Sequence, residues 1–194
     1  MIHRDGYPVI VDLGFAKEVP DKSFTLCGTP WYIAPEVILG RGHDKACDHW
    51  SWAILVHEMV SGDTPFAASG SDQMTLFKAI VRGNYRISRR CNEIVADLVE
   101  RVLTTKPSNR LGSLAGGEMD IKTHDWLVDV NFDKLRQKKF RAPWKPDVRD
   151  ALDVSEYDNW DHMATDDKIA PLTGKEQTKF AEVEDIQKML LERI

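Results

Sequence analysis

Residues 1–17 read MIHRDGYPVIVDLGFAK, and residues 25–37 read TLCGTPWYIAPEV. The first stretch decides where the fold begins. Asp5-Gly6 is a tight-turn signal. Val9-Ile10-Val11 reads as a short buried strand with Pro8 at its edge. Together they predict a small hairpin that runs into Asp12-Leu13-Gly14. Residues 12–35 are rich in Gly, Pro, Thr and Asp and show no clear period. An ordered connection of that length is uncommon unless it is functional.

Downstream the pattern turns helical. Residues 48–61, DHWSWAILVHEMVS, are apolar nearly all round, which predicts a buried helix ending at Gly62. Residues 71–82 predict an amphipathic helix with Met74, Phe77, Ile80 and Val81 on one side, closed by Gly83-Asn84. Residues 92–104 repeat the pattern with Ile94, Leu98, Val102 and Leu103, and residues 119–128 predict a further short helix around Ile121, Trp126 and Leu127. Residues 140–175 are irregular and polar. Phe180, Val183, Ile186, Met189 and Leu190 make a helical stripe over 175–193. The architecture expected is mainly α: a short β-hairpin followed by a helical bundle.

The chain has 194 residues, of which 42% are hydrophobic and 29% charged, and a net charge of −5. That length suits one domain with a real core. The charge gives no nucleic-acid footprint. No apolar run of about 18 residues predicts a membrane span. Cys27, Cys47 and Cys91 are far apart, odd in number and without a CxxC pair, which predicts a reduced intracellular, cytoplasmic protein.

From about residue 5 to 146 the sequence resembles the C-terminal lobe of an AGC-group Ser/Thr protein kinase, closest to the cyclic-nucleotide-dependent kinases. The resemblance rests on motifs in one order: VDLGFAK, TLCGTPWYIAPEV, Asp48 before a Trp-rich helix, PSNRLG and DIKTHDW, followed by APWKP at 142–146. Asp12-Leu13-Gly14 and Ala34-Pro35-Glu36 bracket what would be the activation segment. His3-Arg4-Asp5 also looks like the family's catalytic loop, but spacing argues against it. In the family the catalytic Asp precedes the magnesium-binding Asp by about 18 residues. Here Asp5 precedes Asp12 by seven (12 − 5 = 7), with no Asn between. DGYPVIVD instead resembles the hairpin before the magnesium loop, so His3, Arg4 and Asp5 are read as a decoy. No catalytic residue is assigned. The resemblance implies a truncated kinase fold without N-lobe and catalytic loop.

The resemblance implies these roles. Asp12 binds Mg²⁺ on the phosphates of ATP, and Leu13 packs where Phe is commoner. Thr25 is the activation-loop phosphosite, with Lys17 as a cation for its phosphate. Leu26, Thr29, Pro30 and Ile33 receive the substrate, and Glu58 favours basic residues upstream of the phosphoacceptor. Trp31 departs from the Glu that cyclic-AMP-dependent kinases carry there. Glu36 and Arg110 form a structural ion pair. Asp48 braces the catalytic loop, and His49 is a packed histidine rather than an acid or base. Tyr157, in a loosely matched stretch, takes the place of the tail aromatic that contacts adenine.

The organisation implied is a partial kinase domain over 1–128, an AGC-type tail over 129–174 and an amphipathic helix over 175–194. The function implied is transfer of the γ-phosphate of ATP to Ser/Thr of protein substrates, with a cyclic-nucleotide regulatory region possible in a longer parent. Residues 1–194 alone are expected to be inactive. The alternatives are a non-catalytic lobe that binds substrates or regulators, and a non-functional truncated product.

Overall fold

The computed structural model describes residues 1–67, 72–149, 153 and 155. They fall into two compact units, Met1–Trp144 and Lys145–Ile194. The first holds six α-helices: α1 Pro35–Ile38, α2 Ala46–Ser61, α3 Gln73–Arg82, α4 Glu93–Val102, α5 Glu118–Lys122 and α6 Phe132–Arg136. Among the described residues, the 3₁₀ turns Pro30–Tyr32 and Pro107–Asn109 join them.

Local chemistry sets the helix ends. Asp72 and Asn92 accept the Thr75 and Val95 N–H groups at 2.8 and 2.9 Å, capping α3 and α4. Asp44 Oδ1 does the same for the Ala46 N–H at the start of α2 (2.8 Å). Gly62 and Gly83 close α2 and α3 in the left-handed region, at φ 85° and 66°. Arg90 Nη1 donates to the Ser61 carbonyl (2.7 Å), satisfying an orphan acceptor at the end of α2.

The core lies where α2 packs on α4. Trp50, Ala53, Ile54 and His57 of α2 meet a stripe of Val95, Leu98, Val99 and Val102, with Phe66, Leu76 and Ile80 closing one side. His57 is a structural member of this core. It accepts the Ser88 N–H at Nε2 (3.0 Å), and its Nδ1 faces the Asp63 carbonyl (2.7 Å).

Several expectations need correction. The hairpin reduces to one isolated antiparallel bridge, Ile2 with Pro8, and no strand forms among the described residues. Val9-Ile10-Val11 is not a buried strand: Ile10 is 88% exposed. Backbone bonds join Met1 to Val9 and His3 to Tyr7, and residues 10 and 11 have no ladder partner among the described residues. Helix α2 is not buried all round, since Leu55 and Met59 face outward. Met74 and Ile94 are exposed. The buried faces instead include Leu76, two positions after Met74, and Val95, one position after Ile94. The helix over 119–128 stops at Lys122 and continues as turns, with Trp126 and Leu127 packed on the core. The tail expectations for Tyr157 and 175–193 lie outside the described residues.

Candidate functional site

His3-Arg4-Asp5 forms the tip of the turn. The Gly6 N–H donates to the His3 carbonyl (2.7 Å), and Asp5 Oδ1 accepts the Tyr7 N–H (3.0 Å). Asp5 Oδ2 takes Lys138 Nζ at 2.8 Å, and this bond is the main reason its carboxyl sits far below the usual carboxylate range. With both oxygens occupied and proton affinity depressed, Asp5 is a poor general base. Tyr7 continues the clasp: its hydroxyl donates to the Phe140 carbonyl (2.8 Å) and accepts the Phe140 N–H (3.1 Å).

Asp12 sits in the left-handed region at φ 60°, a conformation Asp tolerates better than most residues. Its Oδ1 accepts the Gly14 N–H at 3.2 Å, closing a short Asx turn on an exposed residue. The Leu13 and Phe15 side chains are exposed, so the packing expected of Leu13 is not present. A hard cation that keeps its waters and is shared with substrate phosphates needs only one or two protein carboxylates. Exposed Asp12 fits that role. No cluster of three or more metal-binding side chains occurs among the described residues.

An open cleft of about 780 Å³ runs beside this loop. It brings together Lys17, Thr25 and Asp48 among the expected site residues, with His43, Asp44, Lys45, Cys27 and Cys47 along its walls. Paired 2.8 Å backbone bonds between Ser23 and His43 hold the Thr25 segment against it. Sequence reading missed this wall. Only Asp44 carried a signal, as a capping residue ahead of an apolar helix. Burial, then the charges of Asp48 and Glu36, push the Cys47 thiol up to about 12, so it is no nucleophile. His49 has a buried Nδ1 without a partner among the described residues. Burial and then Arg110 hold its imidazole below the ordinary value.

The segment after Thr25 divides. Leu26 and Thr29 are exposed and Pro30 half-buried, whereas Ile33 belongs to the core. The Ser51 hydroxyl donates to the Tyr32 carbonyl (2.8 Å), and the Tyr32 hydroxyl donates to the Glu58 carboxylate, so this segment is fastened to α2. Burial, reinforced by Glu58, pushes the Tyr32 phenol up to about 12. No sequence pattern links Tyr32 to Glu58.

Glu36 and Arg110 meet as a two-pronged pair. Nη1–Oε1 is 2.8 Å and Nη2–Oε2 is 2.9 Å. The guanidinium, fully buried, also donates to the carbonyls of Ala46 (2.6 Å) and Thr104 (3.2 Å) and lies over the Trp50 ring. One side chain thus joins α1, the start of α2 and the turn after α4, fixing the end of the 25–37 segment to the core.

Comparison with known proteins gives the family. Residues 1–127 match the protein kinase domain. A cAMP-dependent protein kinase catalytic subunit of Dictyostelium discoideum is 38% identical over 161 residues, covering 83% of this chain and 24% of that protein. Human cGMP-dependent protein kinase 2 is 38% identical over 164 residues, covering 82% and 21%. The human cAMP-dependent protein kinase catalytic subunit PRKX is 35% identical over 180 residues, covering 93% and 49%. The chain therefore spans about a fifth to a half of the length of these relatives. With the motif order, this establishes that the chain belongs to the protein kinase family and, within it, resembles the AGC-type cyclic-nucleotide-dependent kinases.

Proposed function

We propose that this chain is the C-lobe part of a Ser/Thr protein kinase that transfers the γ-phosphate of ATP to protein hydroxyls. One observation carries the reading. The magnesium-loop motif at Asp12, the TLCGTP segment and Ala34-Pro35-Glu36 follow in order, and Glu36 is locked to Arg110 in the core. Mg²⁺, bound with ATP, would neutralise charge on the phosphates. Within the chain itself, exposed Asp12 offers a carboxylate to that ion. Lys17 lines the Thr25 cleft as a cation for a phosphate there, and Asp48, whose Oδ1 is met by the Cys47 thiol at 3.8 Å, lines the same cleft as the brace for a catalytic loop. Leu26, Thr29 and Pro30 present the surface that takes the substrate segment. Glu58 is partly engaged by Tyr32, so its pull on a basic substrate residue is moderated. Cyclic-nucleotide control of the longer protein and an intracellular, cytoplasmic setting belong to the same proposal.

Residues 1–194 offer no match for the catalytic base, the Gly-rich loop or the ATP-binding strand lysine. Phosphoryl transfer depends on positioning and charge stabilisation by those parts, so the chain alone is inactive. The test has two arms. The purified chain with MgATP and an Arg-rich Ser peptide transfers no phosphate above buffer; transfer abolished by Asp12→Ala would overturn that inactivity. Residues 1–144 are also placed in a cAMP-dependent catalytic subunit in exchange for its equivalent segment. Activity of that chimera that falls by about 10²-fold or more on Asp12→Ala supports the kinase reading. A folded chimera with no activity sinks it.

A further inference from the structure

Away from the Thr25 cleft, a second concavity of about 390 Å³ opens between α3 and the segment that follows it. Its charged lining is of one sign: Lys78, Arg82 and Arg86, beside Thr75 and Tyr85. Lys78 and Arg82 are four apart on α3 and share a face, where like charges weaken a helix. Gly83, left-handed at φ 66°, turns the chain back, and the Arg86 N–H donates to the Pro65 carbonyl at 3.0 Å, which places a third cation at the same cleft. None of the three is within ion-pair distance of a carboxylate among the described residues. Asp72 does not line the cleft, and its carboxylate is engaged by the N–H and hydroxyl of Thr75 (2.8 and 2.6 Å). The chain as a whole carries −5. Three unpaired cations gathered at one concavity of an acidic protein form an anion receptor.

We propose that this cleft docks a phosphorylated serine or threonine on an extended segment of a partner protein. The match is in charge and geometry. A phosphate monoester brings close to two negative charges and three acceptor oxygens. Two planar guanidinium forks and an ammonium supply the charge-assisted donors for them. A carboxylate, with one charge and two oxygens, leaves one cation unused. The site is independent of Asp12 and of phosphotransfer.

The test is fluorescence anisotropy of a labelled twelve-residue peptide carrying one central phosphoserine, titrated with the full chain. The phosphopeptide binds about tenfold or more tightly than its Ser counterpart, with the Glu counterpart between, and binding weakens as salt rises. Joint reversal by Arg82→Glu and Arg86→Glu lowers affinity about tenfold or more, whereas Arg41→Glu, outside the cleft, does not. All three positions are exposed, so far-UV circular dichroism should be unchanged. Equal binding of Ser and phosphoserine peptides overturns the proposal. So does indifference to the double reversal, or a Glu peptide that binds as well as the phosphopeptide. A single-stranded RNA that displaces the phosphopeptide through the same two arginines would assign the cleft to another class of ligand and overturn it as well.

Discussion

Replacing Glu36 by Gln keeps the volume of the side chain and one acceptor but removes the negative charge that faces Arg110. Two charge-assisted bonds, at 2.8 and 2.9 Å, hold the pair. Such bonds contribute about 1.5–3 kcal/mol each. The guanidinium has no exposed surface, so water cannot replace the lost partner. Its remaining contacts, the carbonyls of Ala46 and Thr104, are dipoles rather than anions. Removing one member of a buried pair destabilises by about 3–5 kcal/mol, roughly a fifth or more of a typical domain's stability of about 5–15 kcal/mol. Glu36→Gln is expected near the lower end of that loss. Arg110→Met is expected near the upper end, because it strands the buried carboxylate and frees two carbonyls. Urea unfolding followed by tryptophan fluorescence reads both, since Trp50 lies beneath the guanidinium. The double variant Glu36→Gln with Arg110→Met should lose at least about 1 kcal/mol less than the two single changes added together. A loss below about 1 kcal/mol for each single variant, or strict additivity, would refute the reasoning that the pair is closed and dry.

Two further outcomes follow from other contacts. Asp97 accepts from His124 Nε2 and Arg101 Nε, at 2.9 and 3.0 Å, and the His124 bond above all lowers its pKa from the ordinary 3.8. A lowered folded-state pKa gives stability that is present above the ordinary value and lost as pH falls through the folded one. Wild type should therefore exceed Asp97→Asn in urea midpoint near neutrality and converge with it in acid; a gap that persists undiminished in acid would count against the assignment. Gly112 lies at φ 94°, and a Cβ there would come within 2.6 Å of Ile121 Cδ1 and 2.8 Å of His49 Nδ1. Gly112→Ala should lower stability by about 1–3 kcal/mol, visible as a lower thermal midpoint, and an unchanged midpoint would argue that His49 does not pack there.

What was legible in the sequence divides along physical lines. Helices α3 and α4 announced themselves because their signals are local: apolar spacing in both and Gly83 as a stop for α3. Their exact buried face did not, since Met74 and Ile94 are as apolar as Leu76 and Val95. Only the packing neighbours, α1 and the Pro30–Tyr32 turn for α3 and α2 for α4, decide which of them turn inward. The strand at Val9–Val11 failed for a related reason. β-branched residues state a preference for a pleated, half-buried surface, but a strand also needs a neighbouring row of backbone groups, and the bridge between Ile2 and Pro8 offers none beyond Val9.

The site shows the same division more sharply. The Glu36–Arg110 pair was readable because whole motifs, not single residues, carried it. Glu36 and Arg110 stand 74 positions apart, beyond any window of periodicity, and nothing in their own neighbourhoods pairs them. Likewise, Asp5 looks catalytic in its triplet. Its chemistry is set by Lys138, 133 residues away, which fills the oxygen a base would need. A triplet fixes which atoms are available, whereas the distant partner fixes their proton affinity and their freedom to react. That is why spacing to Asp12, a statement about fold, carried more weight than the identity of His3, Arg4 and Asp5.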